Sequence, residues 1–356
     1  MNAKEIINKI LEKFRKPKHN LLEGYVDESF DKARYFREKN KLNVQQANEV
    51  TQEESLEDCI LEYIFQYQKQ VQNGENNNVS YKAFTRMFYD EREDAENNAE
   101  YQQKLKDKIY KNKKYRIDGQ YSSRGKPIFY HISQNTPESE KITDKDENMN
   151  KIYLNCERKD IARLTGEILK KIDKIDRCTF KMKFLAESDE TEKSKRYQRN
   201  DKIVIYTDND IDKERIISSI IDLKRKKPEL FSDKKKLPLM PKINGFIGCI
   251  KQGKNTVSTP LYDYVPADTY NSKLAKIMED CMIYSILDVF SRDEELYDYM
   301  NGYYGDDPVE CLRAFGMMNQ SQIKQVVERF KQDFIECCQK SDIAIDKGKV
   351  ETSQQR

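Results

Sequence analysis

The spacing of apolar residues changes twice along the chain, and that change limits the possible folds more than any other feature. In SLEDCILEYIFQYQKQV, Leu61, Ile64, Phe65 and Val71 keep helical spacing, and Ser55 followed by Glu57 and Asp58 is an N-terminal cap signal. KEIINKILEKF before it, and a long polar stretch after the NGENNN breaker through YKAFTRMFYDEREDAENNAEYQQKLKDKIY, also read as helical. From Tyr115 the period falls to two. YRIDGQYSSRGKPIFYHIS alternates across a Gly/Ser turn, as a hairpin does, and QNTPESEKITDKDENMN reads as an exposed polar loop. The centre then repeats strand and helix. Lys151–Cys156, CTFKMKFLA, DKIVIYT and the end of LPLMPKINGFIGCI read as strands. DIARLTGEILKKID and DKERIISSIIDLKRKKPELF read as amphipathic helices, the second ending before Pro228. From Ser272 the helical period returns in KLAKIMEDCMIYSILDVF, DPVECLRAFGMM and QSQIKQVVERFKQDFIECC.

A period-two centre between helical flanks predicts an α+β fold, with a central mixed, largely antiparallel sheet between N- and C-terminal helices. The expected divisions are a helical region over 1–110, an α+β core over 111–272, C-terminal helices over 273–342 and a disordered tail over 343–356.

Composition narrows the ligand. Lys and Arg number 64 against 62 Asp and Glu, so the net charge of +2 supplies no global field for a long polyanion or an anionic membrane. No run reaches the roughly 20 apolar residues of a spanning helix, and the charged N-terminus carries no signal-peptide core. The eight cysteines are dispersed without a CxxC pair and the chain has two histidines. A zinc site is therefore disfavoured and a reduced, cytoplasmic location is expected. Vicinal Cys337 and Cys338 read as packing residues.

The charge is unevenly distributed. Leu223 to Lys254 holds ten basic residues and two acids, whereas Arg292 to Glu310 holds seven acids and one base. No P-loop, dinucleotide, zinc-protease or nucleophile-elbow motif is present. The sharpest local pattern is Phe180-Lys181-Met182-Lys183-Phe184. In a strand its apolar residues share one face, and Lys181 and Lys183 project together from the other. Mutual repulsion and partial burial favour a neutral amine able to act as a base, and a bound phosphate relieves the repulsion. The competing reading is a one-sided sheet whose lysines are merely solvated. In Tyr197-Gln198-Arg199-Asn200-Asp201, Arg199 is placed to fork onto a phosphate with Asp201 orienting it, or to form an ordinary strand-entry salt bridge. Lys224–Lys227 reads as a solvated helix end, Lys234–Lys236 as steering at most, and His131 as structural.

The order of these segments resembles the HopA-type effector family of plant-pathogen type III secretion, whose members also occur as the Y component of class V lanthipeptide synthetases. The likeness runs over roughly residues 55 to 285 and is carried by SLEDCILEYIFQYQKQ, YRIDGQYSSRGKPIFYHI, KIYLNC, TFKMKFLAES, YQRNDKIVIYT and LPLMPKINGFIGCI. Its most specific parts are the Lys183 strand and Arg199-x-Asp201. Thr269 to Lys273 stands where the family carries Ser-Phe-Gly-x-x-Arg, with Lys273 in place of the arginine. The family is similar in fold to phosphothreonine lyases, which implies a sheet of that type. Lys181-x-Lys183 then occupies the lyases' Lys-x-His pair, and Arg196 lies ten residues before Tyr206.

The resemblance implies elimination of phosphate from phosphoserine or phosphothreonine in a phosphorylated precursor peptide, leaving dehydroalanine or dehydrobutyrine. It further implies Lys181 as base and Lys183 as acid or leaving-group stabiliser. Arg196 and Arg199 form the phosphate clamp, with Lys195 and Lys273 beside it and Asp201 and Tyr206 in support. The chemistry needs no metal or other cofactor. A separate kinase-like subunit, acting in a complex, must supply the phosphopeptide. The alternative is a protein that docks a phosphopeptide, a leader peptide or a host target on the same basic face without chemistry. Nucleic-acid binding through 224–254 is a third and weaker reading, and no membrane association is expected.

Overall fold

A computed structural model of the chain describes residues 56–74, 78–87, 96–121, 125, 127–142, 147–187, 202–232, 239–244, 246–290, 292 and 318–345. In chain order the elements are α1 (Leu56–Gln72), α2 (Val79–Arg86), α3 (Glu96–Lys111), β1 (Tyr115–Tyr121), β2 (Pro127–Gln134), a turn of helix α4 (Pro137–Lys141), β3 (Asn150–Leu154) and α5 (Ile161–Ile172). There follow β4 (Lys181–Leu185), β5 (Ile203–Thr207), α6 (Asp210–Lys226), β6 (Lys242–Asn244), β7 (Ile247–Lys251), β8 (Thr256–Val257), β9 (Val265–Pro266), α7 (Tyr270–Phe290) and α8 (Gln320–Lys340).

Seven of these strands form one sheet in the order β1-β2-β4-β5-β3-β7-β6, and β8 pairs with β9. Every described pairing is antiparallel. The class is α+β as the periodicity predicts, with the expected mixed sheet antiparallel throughout its described strands.

The sheet faces differ in chemistry. One carries Ile117, Ile132, Met182, Phe184, Ile203, Ile205, Ile152 and Leu154, which pack with Leu105 of α3, Ile168 of α5 and Ile220 of α6 into one apolar core. A run this uniformly apolar buries about 1.5–3 kcal/mol per large side chain. The other face is apolar at Tyr153, Val204, Tyr206 and Ile250, where α1, α2, α7 and α8 cover it in a second core, and at the paired Phe129 and Leu185 toward its β2–β4 end. Cys281, Cys337 and Cys338 are buried in that core.

One segment departs from the sequence reading. The expected exposed loop over 134–150 contains α4, capped by the Thr136 hydroxyl accepting from the Ser139 amide at 3.2 Å, with Pro137 at its first turn. Ile142 and Met149 are buried in the helical-side core, and the Ile142 carbonyl accepts from Lys181 Nζ on the sheet. In the long polar stretch that reads as helical, the described residues form α2 and α3, each burying one edge. Ser55, the expected helices over 4–14 and 307–318, the basic 234–236 and the tail from 346 lie outside the described residues, save that Met318 is described.

Candidate functional site

Strand register builds the candidate site. Because β1, β2, β4, β5 and β3 lie side by side, one cross-strand row of paired residues reads Arg116, Ser133, Lys181, Tyr206, Lys151. The next row on the same face reads Asp118, His131, Lys183, Val204, Tyr153. Alternation keeps these side chains off the apolar face. Lys181 and Lys183 thus share a face opposite the fully buried Phe180, Met182 and Phe184, as the local pattern predicts. Lys202 continues the face below Val204, its carbonyl accepting from the Leu185 amide at 2.8 Å.

The face changes from open to covered along the rows. Arg116 and Asp118 on β1 are exposed and paired at 3.6 Å, and Arg116 Nε also donates to Ser133 Oγ at 2.8 Å. Lys181 and Lys183 are half-buried. Lys181 Nζ donates to the Ile142 carbonyl, which fixes the ammonium against the rim of the covering layer. Lys183 Nζ lies 4.7 Å from the centre of the Phe129 ring. Under the helices, Lys151 is 4% exposed with its ammonium 5.8 Å from the Tyr206 ring. Lys202 is wholly buried and donates to the Cys156 carbonyl at 3.1 Å.

Among the described residues of these five strands, the face therefore carries Arg116, Lys151, Lys181 and Lys183 against the single carboxylate of Asp118, and Lys202 adjoins it just before β5. Positions two apart on a strand are about 7 Å apart, at which two ammonium groups repel by roughly 2 kcal/mol at an effective dielectric near 20. An anion between them reverses the sign of that interaction.

At the lower end of β4 the polar groups are satisfied internally. Arg158 forks onto Glu187 in a buried ion pair, Arg158 Nε reaching Oε2 at 3.2 Å, and Asn98 Nδ2 donates to the same carboxylate at 2.9 Å. The Asn98 carbonyl accepts from the Ala162 amide at 2.8 Å, and Gln102 accepts from the Glu187 amide at 2.7 Å. This network anchors α3 and α5 to the end of the strand.

Of the residues singled out from sequence, Lys181, Lys183 and Tyr206 come together on adjacent strands. Lys195, Arg196, Arg199 and Asp201 lie outside the described residues. Lys273, on the first turn of α7, is not in either row. It is 1% exposed and donates to the carbonyls of Gln252 at 2.5 Å and Gly253 at 3.2 Å, tying down the end of β7. Desolvation pushes its pKa down to about 8, against the raising effect of Glu147 and Asp268. The basic end of α6 is paired as well as solvated: Lys227 donates to Glu167 at 2.6 Å, and Lys224 Nζ lies 4.3 Å from the Phe246 ring centre.

Sequence reasoning passed over Arg116, Ser133, Lys151 and Lys202, and gave His131 a structural role. Their alternation against apolar neighbours was legible. Their assembly into rows depended on strand order, which alternation leaves open.

The sequence matches no protein family, and no curated protein matches it. Among solved structures the chain is similar to an effector protein from Pseudomonas syringae pv. tomato strain DC3000. The identity is 14% over 71% of this chain and 97% of that one, with a TM-score of 0.41. It is likewise similar to an effector protein from Pseudomonas syringae pv. syringae strain 61, at 12% identity over 80% of this chain and 95% of that one, with a TM-score of 0.42.

Proposed function

We propose that this chain is a phosphoserine/phosphothreonine lyase that eliminates phosphate from a phosphorylated precursor peptide, leaving dehydroalanine or dehydrobutyrine. The observation that carries this reading is the row Arg116–Ser133–Lys181–Tyr206–Lys151, in which three cations alternate with two hydroxyl-bearing residues at the edge of a covered layer. A phosphate leaving group carries about −1.5 to −2 charge, and cations held in place by the fold stabilise it without reorganising. Lys181, in its neutral form, takes the α-proton. Its hydrogen bond to the Ile142 carbonyl fixes the nitrogen while leaving a lone pair for that proton. Arg116, Lys183 and Lys151 receive the departing charge. The likeness of segment order to the HopA-type family supports a lanthipeptide-type precursor and a separate kinase-like subunit as the partner that makes the phosphoester.

One observation favours the second reading, a phosphopeptide-docking protein without chemistry. A carbonyl acceptor at Lys181 Nζ also stabilises a permanently charged ammonium, which binds an anion and removes no proton. Incubation with a phosphopeptide digest of cell proteins, followed by mass spectrometry, separates the two. The lyase reading expects peptides lighter by about 98 Da, the mass of phosphoric acid, and no such products from Lys181→Ala at unchanged folding. Retention of phosphopeptides with no mass loss, in the presence of a candidate kinase partner, would leave the docking function in its place.

A further inference from the structure

We infer that the outer edge of β1 is a contact between two copies of this chain, which join their sheets edge to edge about a two-fold axis at Ile117; this does not depend on the lyase reading. β1 ends the seven-stranded order β1-β2-β4-β5-β3-β7-β6, so one of its sides meets no strand of that sheet. The Asn135 amide donates to the Lys114 carbonyl at 2.9 Å, and these two residues continue the register of the β1–β2 ladder. Bonded and non-bonded pairs alternate along an antiparallel ladder. Arg116, Asp118 and Gln120 therefore turn their backbone groups toward β2, and Ile117 and Gly119 turn theirs outward. Among the described residues, no backbone hydrogen bond outside the ladder reaches Ile117 or Gly119.

An edge in this state templates another strand unless it is short, bulged, covered or charged with one sign. The opposite end of the sheet has such protection: β6 runs over the three residues Lys242–Asn244, and its register with β7 is irregular. β1 has the seven residues Tyr115–Tyr121, and its ladder stays regular up to the shift between Gln120 and Tyr121. Its exposed charges, Arg116 and Asp118, are of opposite sign and two positions apart.

That spacing selects both the partner and the register. When β1 pairs antiparallel with its own copy about an axis at Ile117, Ile117 faces its counterpart and Tyr115 faces Gly119 of the second copy. The outward backbone groups then meet as bonded pairs. Arg116 faces Asp118 of the second copy, and symmetry repeats that crossing. Opposite charges directly across a ladder stabilise it, and like charges weaken it. An axis at Arg116 or at Asp118 would set that residue against itself, so charge favours Ile117 as the centre. Within one chain Arg116 lies 3.6 Å from Asp118, and pairing exchanges this contact for two across the axis. The axis is perpendicular to the sheet, so both polar faces lie on one side. The row Lys151–Tyr206–Lys181–Ser133–Arg116 of one copy then runs on into Asp118–His131–Lys183 of the other.

The test is sedimentation velocity of the full-length chain from about 1 to about 200 µM, a range that brackets the micromolar strength of a small edge contact. Wild type is expected to pass from one chain to two, with slower amide exchange at Ile117 and Gly119 at the higher concentration. Asp118→Arg and Arg116→Asp each put like charges at both crossings. Each is expected to raise the dimer dissociation constant about ten-fold or more, with a melting temperature near that of wild type. Mixed in equal amounts, the two variants oppose unlike charges at both crossings and are expected to pair with each other about as tightly as wild type pairs with itself. A wild type that stays a single chain throughout, variants that pair as tightly as wild type, or a mixture that stays unpaired overturns the inference. A single-chain wild type whose Ile117 and Gly119 amides are slowed by a phosphoserine peptide also overturns it, and assigns the edge to an extended peptide instead.

Discussion

Replacing Lys273 by methionine should change how stability depends on pH, and the size of the change follows from the burial of one ammonium group. Desolvation holds the Lys273 pKa down from 10.5 to about 8, although Glu147 and Asp268 work in the opposite direction. Between those two values the unfolded chain binds more protons than the folded one. Stability attributable to this residue therefore rises with pH through that window, and the penalty is fully present below about pH 8. A displacement from 10.5 to about 8 corresponds to about 3 kcal/mol at neutral pH, at roughly 1.4 kcal/mol per unit. Of this, roughly 2 kcal/mol is relieved between about pH 7.5 and about pH 9.5. The assay is urea unfolding of wild type and Lys273→Met at both pH values. Subtracting one protein from the other removes groups common to both, such as the Cys249 thiol that burial pushes up to about 11. Wild type is expected to gain about 2 kcal/mol relative to the variant on going to the higher pH. The comparison concerns the slope, because the variant also strips the Gln252 and Gly253 carbonyls of their donor, at a cost of about 1–3 kcal/mol for each that stays buried. Identical pH dependence in the two proteins refutes the reasoning.

Two further outcomes test the scaffold around the polar face. Arg158→Met leaves the Glu187 carboxylate buried with Asn98 as its remaining side-chain donor, and should cost about 3–5 kcal/mol in denaturant unfolding; the double variant with Glu187→Met should recover most of that loss. At the start of α8, Asn319 accepts from the Ser321 and Gln322 amides at 2.9 and 3.0 Å while Gln322 returns a bond to the Asn319 amide. Asn319→Ala should therefore lower stability by about 1 kcal/mol, and an unchanged melting temperature would count against this capping box.

How far the sequence could be read depended on the range of the interaction. Helix α5 is legible because Ile161, Leu164, Ile168 and Leu169 repeat at helical spacing, and α6 because its apolar residues Ile216, Ile217 and Ile220 do the same and Pro228 follows it. The faces of β4 are equally local: alternation alone separates Met182 from Lys181 and Lys183. The 134–150 segment was misread because its polar composition outweighs two apolar residues, Ile142 and Met149, whose burial depends on what lies across the sheet. For the candidate site, single residues were visible and their company was not. Lys151 sits in an apolar strand with no local mark of a partner, and His131 gained its neighbours only when β2 and β4 paired.

The sequence by itself determined the alternation of helix and strand, the apolar side of each element, and an uneven distribution of charge along a chain of net charge +2. The first two follow from backbone periodicity and from the transfer of apolar surface out of water, both of which act over a few residues. Strand order was decided by the tertiary structure alone, because ladder hydrogen bonds are nearly indifferent to which alternating strand they join. The choice β1-β2-β4-β5-β3 falls to the packing of the two cores on either face. That choice is what sets Arg116, Lys181 and Lys151 in one row and His131 between Asp118 and Lys183 in the next.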